Sequence, residues 1–522
     1  LRAVIASFGD NSRMSEILLA TLNARYSHAS LGLRYLRANL GALRERSSIR
    51  EFVIGQKTEE IAEVVLAANP MILGLGVYIW NCEETLKLVL MLKAVRPDLI
   101  IVLGGPEVSY ETGEQAICTT ADYTITGWGD ISFAQLCAQI LAGEAPQEKI
   151  IPGIQAKLDD IASPYAEYTE EDIRQRHLYV EASRGCPFKC EFCLSALDKT
   201  AWPFALENFL DDLEMLWQKG ARQFKFVDRT FNLKIETSLR IMDFFLGKIA
   251  DNPEDPPFAH FELIPDHLPE KLKDAIQRFP AGTLQFEIGI QTFNTEVQAR
   301  ISRKQKNELA RDNILWLAQN SGAHLHIDLI AGLPGETIQS FGEGFNKLVA
   351  LNPHEIQFGI LKRLRGAPIA RHTKDFALRF NPAPPYNILS TDCIDFAEMQ
   401  RLSRFSRYWD ILANSGRYSR TMPVILGDSA FDGFSRLSEW LYARTRQTHA
   451  IAHERMVHLL YDYLLETDHA EADVAAVLIA DYRGTGGRSR LRFESTDAEL
   501  PLPKPAKAKK HTPDRQTRHL QA

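Results

Sequence analysis

The chain has 522 residues, 45% apolar and 24% charged, which is room for about three to four globular domains of ordinary composition. Its 60 basic and 67 acidic side chains leave a net charge of −7, so no bulk nucleic-acid partner is expected. Seven cysteines are too few for a disulfide-stapled secreted protein, so a reducing cytoplasm is expected.

Residues 1–13 read as an upstream extension before Met14, and no signal peptide is visible. From Met14 strand and helix patterns alternate. EILLATL (16–22) is a buried strand, and Ser30 caps the amphipathic helix LGLRYLRANLGAL. IREFVI (49–54) is a strand, followed by a helix with Thr58 as its cap candidate. MILGLGVYI (71–79), LIIVLGG (99–105) and YTITGWGD (123–130) continue the strands, with helices between them. The most apolar window, 61–80, is broken by Glu63, Asn69 and Pro70, so it is a helix, turn and strand rather than a membrane span. Such alternation predicts an α/β fold, a doubly wound parallel sheet over 14–150. A Pro-bearing linker covers 151–176.

A second alternation starts at HLYVEAS (177–183) and continues through RQFKFVD, FAHFELI, LQFEIGIQ, AHLHIDLIAGL and EIQFGILKR. Six units predict a partial (β/α)6 barrel over 177–370, with chemistry at the carboxyl ends of its strands. A C-terminal helical domain is expected over 371–483, its long helix stopping near Asn414-Ser415-Gly416. Residues 484–522 are rich in Gly, Pro and Lys and read as a disordered basic tail.

The first barrel strand runs into EASRGCPFKCEFCLS, where Cys186, Cys190 and Cys193 are spaced C-x3-C-x2-C. Three thiolates suit three irons of a [4Fe-4S] cluster and leave the fourth iron open. Zinc would want a fourth ligand close by, and none follows in sequence. Gly185 and Pro187 let the loop wrap a cluster, and Phe192 can stack on a bound base or simply pack. Cys82, Cys118, Cys137 and Cys393 are scattered and read as buried free thiols, with no second cluster. No residue is assigned a proton-transfer or nucleophilic role.

CPFKCEFC resembles the signature of the radical S-adenosylmethionine (SAM) superfamily. That resemblance implies that SAM chelates the open iron and that one electron cleaves it to a 5′-deoxyadenosyl radical. A one-electron donor such as flavodoxin or ferredoxin is implied. FELIPDHL, GIQTFNTEVQARISRKQ and HIDLIAGLPGET resemble the oxygen-independent coproporphyrinogen III oxidase branch. By that similarity Glu262, Gln291, Arg303 and Asp328 contact SAM. Arg303 has the fork for a carboxylate, and the two acids can accept from hydroxyl or amino groups. Asp228 is a weaker candidate, since the family's Gly-Gly-Glu stretch is missing there.

The front sheet is similar to the cobalamin-binding domains of such enzymes, at GVYIWN, LGGPEV and GWGD. Gly104 and Gly105 stand where a corrin would approach the backbone closely, or where a turn is tight. No Asp-x-His-x-x-Gly is present, so His28 is not assigned to cobalt. WDILANSG resembles a helical domain of unknown function attached to some of these proteins. The resemblance implies methyl transfer to an unactivated carbon of a small-molecule, lipid or peptide substrate. Radical ring closure or rearrangement is the alternative, and a non-catalytic cluster and cobalamin sensor is the reading from another class.

Overall fold

The computed structural model describes residues 16–494 and 511–521. The expected extension 1–13 and the start at Met14 lie outside the described residues. Two compact units emerge. One holds the chain up to Ala182 with Trp202–Ala221 and Leu364–Gly366; the other holds Ser183–Ala201, Arg222–Arg363 and the chain from Ala367 on. Among the described residues no helix is long and apolar enough to cross a membrane.

In the first unit six parallel strands form one sheet: β1 (Ile17–Asn23), β2 (Ser47–Val53), β3 (Ile72–Gly76), β4 (Ile100–Gly104), β5 (Tyr123–Thr126) and β6 (Ile150–Pro152), in the order β2-β1-β3-β4-β5-β6. The β6 segment was expected to be linker. The apolar runs are continuous because both faces are covered. Leu18, Ala20, Leu22, Leu73, Leu75, Ile101 and Leu103 share one core, whereas Ile17, Leu19, Ile72, Val102 and Ile125 share the other. Ser30 caps the helix Leu31–Ala38 as expected, its hydroxyl accepting from Leu33 N. Thr58 does not cap; it is the first residue of its helix, behind Lys57.

The strand order reverses between β1 and β3, and ligands of such sheets bind outside the carboxyl ends at that reversal. Asn81 ties these ends together, donating to Leu22 O at 3.0 Å and Gly76 O at 3.1 Å. Tyr78 and Trp80 stack at 4.5 Å beside it, with Trp80 44% exposed.

β7 (Leu178–Val180) precedes the short strands β8 (Ser183–Gly185) and β9 (Ala201–Pro203). The expected single strand over 177–183 is thus broken before the cysteines. The second sheet is six-stranded. Within the second unit it comprises β10 (Gln223–Phe226), β11 (Phe258–Leu263), β12 (Leu284–Gln291), β13 (His324–Ala331) and β14 (Glu355–Ile360), all paired in parallel in chain order. The helix Phe396–Leu412 starts at a capping box of Asp395 and Glu398. An aromatic seam joins it to the barrel. Phe345 on the helix Ile338–Val349 meets Trp409 at 4.8 Å, Phe341 meets Phe358 at 4.7 Å, and Phe405 meets Phe434 at 4.7 Å.

Part of the expected disordered tail is ordered. The helix before it runs to Gly484, and residues 511–521 carry a further helix, Asp514–Gln521. That segment is polar because its partners are polar backbone and charged groups at the amino ends of the barrel strands. His511 Nε2 lies 2.7 Å from Asp255, Thr512 donates to Gly282 O, and Arg515 bridges Glu355 and Asp410 at 2.9 Å each. Arg518 and His519 reach the carbonyls of Ser415 and Asn414.

Around Glu355 the rings of His324, His354 and His519 lie within 4.6–5.9 Å of one another. Burial lowers all three histidines, and His354 falls from 6.5 to about 3. Burial opposes ionisation of Glu355, but His324 and Arg515 hold it down at about 2. Groups depressed in the folded state stabilise it above their unfolded values and lose that contribution as pH falls. The melting temperature is therefore expected to decline as pH drops from about 6.5 toward 3. A chain ending at residue 510 should melt lower at neutral pH and show a shallower decline, since His519 and Arg515 are gone. Thermal denaturation of both proteins across that range checks this.

Candidate functional site

Strand β8 leads into the cysteine loop. Gly185 has φ 85°, and an added Cβ would stand 2.4 Å from Thr200 O, so a side chain there would force the loop open. Cys186 and Cys190 are buried, and Cys193 is half-buried. All three line a cavity of about 220 Å³ at the carboxyl ends of the barrel strands. Burial pushes the Cys186 thiol up to about 11. Burial also raises Cys190, against the pull of the Arg303 guanidinium. Iron would displace those protons, because only thiolates ligate. Among the described residues no three His, Cys, Asp or Glu converge on a single ion position. A cubane does not ask for that, since each thiolate takes a different iron.

The same cavity is lined by Phe192, Glu262, Gln291, Arg303 and Asp328. Five sequence-predicted residues from four separate segments thus meet the cysteines. Gln291 ends β12 with φ 68°, past a register shift between Gly289 and Gln291. Arg303 follows Ser302, itself at φ 54°. Its guanidinium bonds Gly289 O, approaches Cys190 Sγ at 3.6 Å and donates to Gln305 Oε1 at 3.0 Å. Gln291 Oε1 and Asp328 Oδ1 are buried without a hydrogen-bond partner. Buried acceptors of that kind are costly unless a donor fills them. A ligand carrying ammonium and hydroxyl donors, with a carboxylate for Arg303, fits this donor and acceptor set.

Glu287 and Arg229 are among the lining residues that were not foreseen. Glu287 lies two residues from Gly289 and four from Gln291, on the face opposite Phe286, Ile288 and Ile290. The alternation of LQFEIGIQ carried that signal. Arg229 pairs with Glu262 at 2.7 Å. Asp228 is not at the wall in this way; it accepts from Ser183 Oγ at 2.6 Å. Three of the carboxylates in this cavity, Glu262, Glu287 and Asp328, divide their protons unevenly. Burial raises Glu262 to about 7, with Arg229 opposing and Glu287 adding to the rise. Burial, Glu287 and Glu262 raise Asp328 well above the usual range. Glu287 stays charged despite burial, held down at about 2 chiefly by His260 at 3.3 Å.

In the first unit, Gly104 and Gly105 end β4 and open its exit loop. Gly105 has φ 114°, and a Cβ there would stand 2.4 Å from Val77 O. Close packing on the β3 exit therefore requires that glycine by itself. Gly104 is different: the nearest atom to its would-be Cβ is 3.9 Å away, and at Gly127 nothing lies within 4 Å. These open backbone positions and the exposed Trp80 fit a broad planar ligand. His28 Nδ1 lies 2.5 Å from Tyr179 Oη. Cys393 is exposed and Cys82 only half-buried, so the buried reading holds for Cys118 and Cys137 alone. Cys393 escapes burial because it sits in the turn before the capped helix rather than on a helix face.

Comparison with known proteins agrees with this arrangement. Residues 17–137 match the family model of the B12 binding domain, 180–348 that of the radical SAM superfamily, and 374–495 that of a protein of unknown function, DUF4080. The cobalamin-dependent radical SAM methyltransferase TokK of Streptomyces tokunonensis is 25% identical over 474 residues, 78% of this chain and 66% of that protein. The 2-(S-pantetheinyl)-carbapenam-3-carboxylate methyltransferase of Streptantibioticus cattleyicolor is 25% identical over 466 residues, 76% and 65% respectively. The chain thus spans just under two thirds of the length of these relatives. The radical S-adenosylmethionine methyltransferase TsrM from Kitasatospora setae, solved with cobalamin and a [4Fe-4S] cluster, shares the fold. Its TM-score is 0.56 at 16% identity, covering 75% of this chain and 86% of that one.

Proposed function

We propose that this chain, whose residues 17–137 match the B12 binding domain and 180–348 the radical SAM superfamily, is a radical SAM enzyme that transfers a methyl group from SAM to an unactivated carbon of a small-molecule substrate. Its cofactors are a [4Fe-4S] cluster, SAM and cobalamin. The observation that carries the reading is one cavity lined by three cysteines together with Glu262, Gln291, Arg303 and Asp328. When bound, the cluster supplies the electron that opens the SAM sulfonium, and the corrinoid carries the methyl group.

The chain's own residues bind and orient. Cys186, Cys190 and Cys193 would hold the cluster, each through one thiolate, with SAM bound beside it. Arg303 presents a guanidinium to the SAM carboxylate, already steadied by Gly289 O and Gln305. Gln291 Oε1 and Asp328 Oδ1 offer acceptors to the ammonium and ribose groups. Glu262, raised to about 7, exchanges its proton near neutrality and can donate or accept. Phe192 walls the cavity and excludes water from one side. Gly104 leaves the corrin room at the β4 end, and Gly105 keeps that loop tight against Val77. A one-electron donor such as flavodoxin or ferredoxin would reduce the cluster.

Anaerobic reconstitution with iron, sulfide and excess hydroxocobalamin, then desalting, tests the reading. Roughly one cobalt per chain is expected, with a corrin absorption band. Reduction in the presence of SAM should give 5′-deoxyadenosine, and S-adenosylhomocysteine should accompany a product heavier by one methylene. Folded, cluster-loaded protein that retains no cobalt would remove the corrinoid from the reading. No 5′-deoxyadenosine with any reductant would leave a binding protein.

A further inference from the structure

Glu191 lies between two of the cysteines, yet its side chain is only 3% exposed. A buried carboxylate needs partners, and this one is fully supplied. Oε1 accepts from Ser302 Oγ at 2.6 Å and pairs with Arg371, and Oε2 meets His372 Nε2 at 2.8 Å. Its backbone is tied as well. The N–H donates to Ile301 O at 3.1 Å, and the carbonyl accepts from Ile369 N at 2.9 Å.

These partners come from two segments. One is the short turn Pro368–His372. The other is the bend at 301–302, which delivers Arg303. Ser302 is in the left-handed region there, and Arg303 N donates back to Gln298 O at 2.8 Å. The Arg303 guanidinium then stands 3.6 Å from Cys190 Sγ, the residue before Glu191. The cysteine loop and the cationic end of the cavity are therefore joined through Glu191, by its carboxylate on Ser302 and by its N–H on Ile301 O.

We propose that Glu191 is a positioning residue: it holds the cysteine loop in register with Arg303, so that the open iron and the carboxylate-binding guanidinium keep the spacing that one SAM molecule must span. The proposal rests on the reading of the cavity as a cluster and SAM site. Turn Pro368–His372 anchors the carboxylate from behind, and Ser302 passes its position to Arg303.

The test uses the full chain, reconstituted anaerobically, and follows the electron paramagnetic resonance spectrum of the reduced cluster as SAM is added. Two variants separate the roles. E191Q keeps the shape but turns an amide donor toward Arg371 or His372. S302A removes the side-chain link from Glu191 to the Arg303 bend and leaves the backbone bond to Ile301 O and the Arg371 and His372 contacts in place. Both should keep wild-type iron and sulfide content. The SAM concentration that half-converts the spectrum should rise about 10- to 100-fold in E191Q, the range for losing a support behind metal ligands, and in the same direction in S302A. Half-conversion at the wild-type concentration in both variants would overturn the proposal. So would loss of iron from E191Q with an unchanged SAM response in S302A, since Glu191 would then hold the loop alone. A wild-type cluster whose spectrum ignores SAM would instead bring down the cavity reading itself.

Discussion

Replacing Cys186, Cys190 or Cys193 with Ala is expected to abolish both the four-iron cluster and SAM cleavage while leaving the protein folded. Each thiolate takes a separate iron, so no remaining ligand can substitute for the lost one. Among the described residues the spare thiols are elsewhere: Cys82, Cys118 and Cys137 lie in helices of the first unit, and Cys393 is exposed. Iron and sulfide content, visible absorption and 5′-deoxyadenosine formation are the measurements. C393S serves as the control and should match wild type in all of them. A single alanine variant that still loads four irons and cleaves SAM would show that the cluster is held differently.

Gly105→Ala should be strongly destabilising to the front unit. An Ala Cβ would stand 2.4 Å from Val77 O and 3.1 Å from Val77 N, both backbone atoms that cannot swing away. The φ of 114° adds strain for any L side chain. Strain and overpacking together predict a loss on the order of 2–5 kcal/mol. Denaturant unfolding should show it, and cobalt retention should fall with it. Iron uptake by the barrel should stay at the wild-type level. Gly104→Ala meets nothing nearer than 3.9 Å, so it should leave stability intact and report only on whether a ligand occupies that space.

Much of this was legible in the chain because the signals are local. The runs at 17–22 and 100–104 are apolar on both faces, which only a covered parallel sheet explains. The cysteine spacing was itself legible, and the resemblance of three further motifs to a known family assigned Glu262, Gln291, Arg303 and Asp328 to the same site. Glu287 was passed over because a single carboxylate in an apolar strand reads as a surface residue until the register places it inward. Gly105 was expected to make room for a ligand or to sit in a tight turn; its contact with Val77 demands glycine on its own, a relation between two loops that spacing cannot express. The end of the chain was misread for a physical reason. Composition reports hydrophobic burial, and the segment at 511–521 docks through Thr512, Arg515 and His519 on carbonyls and carboxylates. A polar sequence meeting a polar surface looks solvated.

The aromatic seam between Phe345, Phe405, Trp409 and Phe434 has a consequence for cooperativity. Each ring is shared between a barrel helix and the helices that follow, so neither side has a complete interior without the other. Barrel and carboxyl-terminal helices should therefore unfold in one calorimetric transition rather than two. A protein cut near residue 370 would bare Phe341, Phe345 and Phe358 to solvent and would be a poor candidate for independent expression. The helical segment of unknown function and the barrel then form a single thermodynamic object.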